Sequence, residues 1–175
     1  DREAGLYAAM SGGRIGRLDL LLKGDYFRRR DSIIGALAGG GCATVSAVVP
    51  MVEALIADLK DARKADEAGM KEQGSDIGDA EEAYLEGRYK EELYETLQCV
   101  YLFYRDMLVH KAAGDDSLFI NYDKADIIKA MSAAHTRRGI EESIDLIASI
   151  RRAVAGNANL KLALEVLFLK LGKAA

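Results

Sequence analysis

The stretch Ile140–Leu171, IEESIDLIASIRRAVAGNANLKLALEVLFLKL, decides how the chain is expected to fold. It reads as two helices joined by Gly156-Asn157-Ala158-Asn159. In the first, Ile140, Ile144, Ile147 and Val154 mark one face, with Leu146 and Ile150 beside them. Glu142, Asp145, Ser149 and Arg152 mark the other, as an amphipathic helix requires. Glu141, Glu142 and Asp145 at its start and Arg151 and Arg152 at its end match the helix dipole. Gly156 and Asn157 tolerate a left-handed stop, and Asn159 is a good N-cap for the second helix. From Leu160 to Leu171 only Lys161, Glu165 and Lys170 are polar, with Lys170 roughly opposite the other two. A helix without a clean polar face is buried on several sides. This one is either the centre of a bundle or a seam between subunits.

Working outward, one proline in 175 residues and abundant Ala, Leu, Glu and Lys point to an all-α chain. The 17 glycines then act as punctuation between helices. The length suits one domain, or one domain and part of another. A net charge of −4 argues against a protein whose main task is gripping phosphate backbones. Cys42 and Cys99 are far apart with no CxxC spacing, which excludes a metal knuckle and disfavours a disulfide framework. Neither a signal peptide nor an apolar run of membrane length is visible, so the expected location is the cytoplasm, with no membrane partner. The sequence opens at Asp1 without a methionine and runs straight into helix formers, as a piece of something longer would.

In chain order, residues 2–10 form a short helix broken at Ser11-Gly12-Gly13. Ile15–Leu22 form a second, closed by Lys23-Gly24. A third begins at Asp25-Tyr26-Phe27 and carries Arg28, Arg29 and Arg30. Those three splay over most of a turn and read as a solvated face rather than a phosphate clamp. After Gly39-Gly40-Gly41 a long helix runs from about Thr44 to about Lys71, with Pro50 either kinking it or lying near its first turn. Its apolar pattern lapses after Leu59, so residues 60–82 read as an exposed helix end and a mobile loop. A second long helix spans about Ala83 to Ala113. Its aromatics read as packing rather than base-stacking platforms, because Glu91, Glu92 and Glu95 crowd the same helix. Leu118–Tyr122 reads as an extended link, and Asp123 as the cap of a further helix, with Asp126 at the capping-box position.

Chemistry is sparse. No phosphate loop, dinucleotide fingerprint, HExxH or GxSxG occurs. Gly12-Gly13-Arg14-Ile15-Gly16 is glycine-rich, but no strand leads into it. Neither His110 nor His135 has the Glu-x-x-His spacing of a di-metal bundle. The residues offer no catalytic set, no metal ligands and no cofactor.

Four segments resemble bacterial DNA polymerase III clamp-loader subunits, in that family's order. Asn157-Ala-Asn159-Leu-Lys-Leu-Ala-Leu164-Glu165, followed by Val-Leu-Phe-Leu-Lys-Leu, is similar to the family's closing helix and is closest to its delta-prime members. Tyr104-Arg105-Asp106-Met107-Leu108 is similar to its Arg-Asp-x-Leu segment, and Leu118-Phe-Ile-Asn121-Tyr-Asp123 to its link into the next helix. Ser11-Gly-Gly-Arg-Ile-Gly16-Arg17-Leu-Asp-Leu-Leu resembles the helix start in the lid of an AAA+ module. Gly16 falls where motor subunits carry a nucleotide-contacting arginine, with Arg17 one place on.

The resemblance implies the end of an AAA+ lid over residues 1–24 and a helical collar domain over 25–175. It implies a non-catalytic role, as an accessory part of DNA-directed DNA polymerase III, and packing beside delta and gamma/tau subunits in a five-membered ring. That ring opens the sliding clamp and closes it on primed DNA, driven by ATP hydrolysis in the motor subunits. Clamp and DNA would be met only through the whole complex. Leu164, Leu167, Phe168 and Leu171 are the expected core-to-seam residues. Glu165 is expected to pair with Lys161 or, across the fold, Arg105. Two other readings remain open: a gamma/tau collar, and an unrelated helical module binding a ligand or peptide beside Tyr94, Tyr101, Phe103 and Tyr104.

Overall fold

A computed structural model describes residues 2–23, 25–72 and 78–173. Among them every regular element is helical: α1 (Arg2–Ser11), α2 (Ile15–Lys23), α3 (Tyr26–Ala38), α4 (Val45–Glu72), α5 (Asp79–Ala113), α6 (Ala125–Ala134), α7 (Arg137–Ala155) and α8 (Leu160–Leu171). Short 3-10 turns at Asp116–Leu118 and Tyr122–Lys124 join α5 to α6. No helix is long and apolar enough to cross a membrane among the described residues.

Four helices close a ring: α5 packs on α4, α4 on α8, α8 on α7 and α7 on α5. Outside it, α3 and α6 also lean on α5. The central helix is therefore α5, 35 residues and about 52 Å long. Leu6, Met10 and Leu21 from α1 and α2 are buried in the same apolar cluster as Ile34, Phe103 and Phe168, so the first two helices share the core of the rest.

The ends of the elements follow from local chemistry. Gly12 and Gly13 both have positive φ, which breaks α1 from α2. Thr136 caps α7, which starts upstream of Ile140, by accepting a hydrogen bond from the Gly139 N–H at 3.0 Å. Asn157 takes the left-handed stop at φ 63°, and Asn159 Oδ1 caps α8 by accepting from the Leu162 N–H at 3.0 Å. Gly172 ends α8 where a Cβ would fall 2.0 Å from the Cys42 carbonyl oxygen, so only glycine lets α8 close on the α3–α4 connection.

Several expectations are corrected. Residues 60–72 are helical and 79–82 begin α5, so most of the expected mobile loop is a two-helix arm, while residues 73–77 lie outside the described residues. Few apolar residues are needed there, because the two helices bury Leu59 and Leu85 and join through Arg63 with Glu82 and Glu86 and Arg88 with Asp66. Pro50 lies inside α4, in its second turn. The 118–122 link is not simply extended, since 3-10 turns bracket it. Asp123 does not cap α6, whose N-cap position, Lys124, makes no side-chain cap. It is drawn instead to Arg30.

The arginines of α3 are not a solvated face. Arg29 and Arg30 are buried. Arg29 donates to Asp58 of α4 at 3.1 Å and to Glu92 of α5 at 2.8 Å. Arg30 donates to Asp31 at 2.9 Å and to Asp123 at 3.1 Å, and its guanidinium lies 4.7 Å from the centre of the Phe27 ring. Arg28 stays exposed and bridges Asp25 and Asp58. The splay that rules out one phosphate clamp lets neighbouring side chains reach different elements.

Breaking one member of a buried ion pair strands the other. Arg29→Met should lower the free energy of unfolding by about 3–5 kcal/mol in a denaturant titration, and adding Glu92→Leu should recover most of the loss. Equal stability of Arg29→Met and the parent would show that the pair is idle.

Acid should act through the same network. Burial alone would raise the Asp31 carboxyl, but hydrogen bonds from Lys124 and Arg30 outweigh it and hold the group below its ordinary 3.8. A group lowered in the folded state contributes stability that is complete above its unfolded pKa and lost as pH falls through the lowered one. Thermal midpoints should therefore drop progressively below about pH 4, less so for Asp31→Asn; a parent and variant that respond identically to acid would remove Asp31 from the network.

Candidate functional site: the motif residues and the cleft at the hairpin turn

Asp106 has no solvent exposure, which is costly for a carboxylate unless donors surround it. They do. Its Oδ1 accepts from the Ile120 N–H at 3.2 Å and from Arg105 Nη1 at 2.7 Å. Its Oδ2 accepts from the Asn121 N–H and from Asn121 Nδ2, both at 2.8 Å. Arg105 also donates to the Leu118 carbonyl at 2.7 Å. The Arg105-Asp106 pair thus clasps the 118–121 link to α5. Asn121, buried and essential to this clasp, could have been found by asking which nearby residue offers both a backbone and a side-chain donor.

Leu164, Leu167, Phe168 and Leu171 are all at most 2% exposed, covered by the chain's own α4 and α7. They are core, and the expectation that they also form the seam is corrected: no surface of theirs is left for a neighbour. Glu165 is half-buried, with Lys161 Nζ at 3.9 Å; Lys161 lies closer to Glu53 of α4, at 2.6 Å. Arg105 pairs with Asp106 instead of Glu165.

Gly16 and Arg17 sit at the start of α2. Arg17 Nε and Nη2 donate to one oxygen of the buried Glu95, at 3.0 and 2.8 Å. Its guanidinium is engaged inside the molecule.

Two depressions lie along this side of α5, the first of them at this pair. A hollow of about 420 Å³ is lined by Arg14, Gly16, Arg17, Lys90, Tyr94 and Glu95, among others. A cleft of about 490 Å³ runs alongside, between α5 and the α7–α8 turn, with Leu93, Leu97, Val154 and Leu160 as its apolar walls. Lys90 and Tyr94 border both, and Asn157 stands at the lip of the cleft. Arg151 lies over Tyr94, 4.2 Å from the ring centre, and donates to Gln98 Oε1 at 2.7 Å. From sequence alone Arg151 has only a helix-dipole role, because nothing in its spacing from Tyr94 marks the contact across helices.

The aromatic residues of α5 do not line one pocket. Phe103 and Tyr104 fill the core and Tyr101 is half-buried, while Tyr89 and Tyr94 border the cleft. His135 Nδ1 lies 2.8 Å from the Met131 carbonyl, and His110 Nδ1 3.1 Å from Asp116. No group of three or more His, Cys, Asp or Glu is placed to hold a metal ion among the described residues. Burial pushes the Cys42 and Cys99 thiols up to about 11 and about 12, so both resist reaction at neutral pH.

A scan against protein-family models, a search of curated proteins and a search of solved structures find no match to this chain.

Removing the Asp106 carboxylate leaves buried N–H groups without acceptors, at about 1–3 kcal/mol each. Asp106→Ala should therefore destabilise the fold by at least about 2 kcal/mol and speed hydrogen exchange at Ile120 and Asn121 before it does so elsewhere in the chain. Unchanged exchange at those two amides would mean that the clasp does not hold the link.

Proposed function

We propose that this chain is the collar region of a clamp-loader subunit of the delta-prime type, a non-catalytic assembly domain. In that role it joins delta and gamma/tau subunits in the ring that loads the sliding clamp on primed DNA, in the cytoplasm. The observation that carries the reading is the Asp106 clasp. Two segments that separately resemble the family, Arg105-Asp106 and Leu118–Asp123, are joined by hydrogen bonds through the residues that carry the resemblance. A chance likeness in two short stretches gives no reason for them to complete each other's hydrogen bonds. The closing helix adds weaker support, with Asn159 capping it and Leu164 at its buried face. Arg17 favours delta-prime over gamma/tau, because its engagement by Glu95 leaves it poorly placed to reach a nucleotide.

Since α8 is core, a polar substitution at Leu167 would unfold the chain and cannot test assembly. The direct test is co-expression with delta and gamma/tau subunits, followed by sizing with mass measurement. The chain should travel with them in one complex, and alone it should turn over no ATP above background. A chain with intact helical circular dichroism that never joins these subunits would overturn the proposal, as would ATP turnover by the purified chain.

A further inference from the structure

The cleft beside the α7–α8 turn combines apolar walls with a cation that its own chain does not neutralise. Arg151 has no carboxylate within ion-pair distance among the described residues. Its hydrogen bond to Gln98 uses Nη1, toward a neutral amide. A guanidinium carries five N–H donors in a planar fork suited to a carboxylate. Stacking on Tyr94, with Tyr101 also facing it at 6.0 Å, holds that plane in place. The other arginines at partly buried positions differ: Arg17, Arg29, Arg30, Arg63, Arg88 and Arg105 each have a carboxylate partner.

The surroundings suit a protein side chain. Tyr94 is 52% exposed at the border of the cleft, and Leu93, Leu97 and Leu160 line it. Fixed aromatic and arginine side chains beside apolar ground are what interface hot spots are made of. Lys90 adds a second cation, shared with Glu86 at 3.5 Å.

We propose that this cleft receives an acidic amphipathic helix of a neighbouring subunit, whose carboxylate pairs with Arg151 while its aliphatic side chains cover Tyr94, Val154 and Leu160. Charge complementarity selects the occupant: a basic or purely apolar helix would leave the stacked guanidinium covered and unpaired, which is costly. This inference rests on the clamp-loader reading for the identity of the neighbour.

The test uses the chain assembled with delta and gamma/tau subunits. Ala158→Cys, at the cleft, and Ala133→Cys, on the exposed side of α6, each carry a photo-crosslinker; the native thiols are buried and do not compete. A crosslink from position 158 to a partner subunit, and none from 133, is expected. Arg151→Glu should weaken assembly about tenfold or more, and Arg151→Lys less, because lysine keeps the charge without the fork. Tyr94→Ala, at an exposed position that the fold tolerates, should weaken it in the same direction. Assembly with no crosslink from 158 and unchanged affinity for Arg151→Glu and Tyr94→Ala would overturn the cleft proposal and leave the collar reading standing. A crosslink to a second copy of this chain would overturn the choice of occupant. Absence of any complex would overturn the collar reading, and this inference with it.

Discussion

Three carboxylates on the enclosed stretch of α5 set the terms for this structure. On α5, Glu92, Glu95 and Asp106 are buried, interleaved with Leu93, Leu97, Val100, Phe103 and Met107. A carboxylate in such a position is tolerated only if cations or N–H groups converge on it. Each draws in a different part of the chain: Arg29 from α3 reaches Glu92, Arg17 from α2 reaches Glu95, and the 118–121 link folds onto Asp106. The apolar contacts hold the helices together, and these polar contacts set their register, because a shift along α5 would strand a charge.

The same requirement explains what the sequence reveals and what it hides. Helix positions were legible because they depend on local signals: the glycine breaks, the Asn157 stop and the Asn159 cap are written within a few residues of where they act. Partners were not legible. Arg28-Arg29-Arg30 looks like a charged surface until Asp58, Glu92 and Asp123 are brought beside it, and those lie 28 or more residues away in the chain. Asp123 was misread for the complementary reason. It stands where a helix cap is common, but a buried guanidinium is a stronger claim on a carboxylate than a partly exposed helix end. Residues 60–82 were misread because apolar periodicity is a test for burial, and a two-helix arm tied by ion pairs buries little.

The closing helix shows a further limit of periodicity. An apolar face on all sides does not say whose atoms cover it. In α8 the answer is α4 and α7, with Gly172 allowing the helix end to press against Cys42. Any surface for assembly must therefore lie elsewhere, among side chains that this body leaves uncovered. The exposed large apolar residues, among them Ile15, Tyr94, Leu118 and Leu162, come from different elements, and an exposed apolar side chain is by itself ordinary on a surface.

What distinguishes one of them is the charge beside it. The fold matches its partly buried arginines with carboxylates across helices, at Arg17, Arg29, Arg30, Arg63 and Arg88. Against that pattern Arg151 is the exception among the described residues: stacked on Tyr94, hydrogen-bonded to Gln98 with no carboxylate partner, and set on apolar ground beside Asn157. Solvent can satisfy such a group in an open cleft, so its lack of a partner is not a defect of the folded chain. It becomes unfavourable only when something covers the cleft without bringing a carboxylate. Under the proposed assembly, the interior of the molecule and this one piece of its surface follow the same rule, with the second half of the surface pair supplied by another chain.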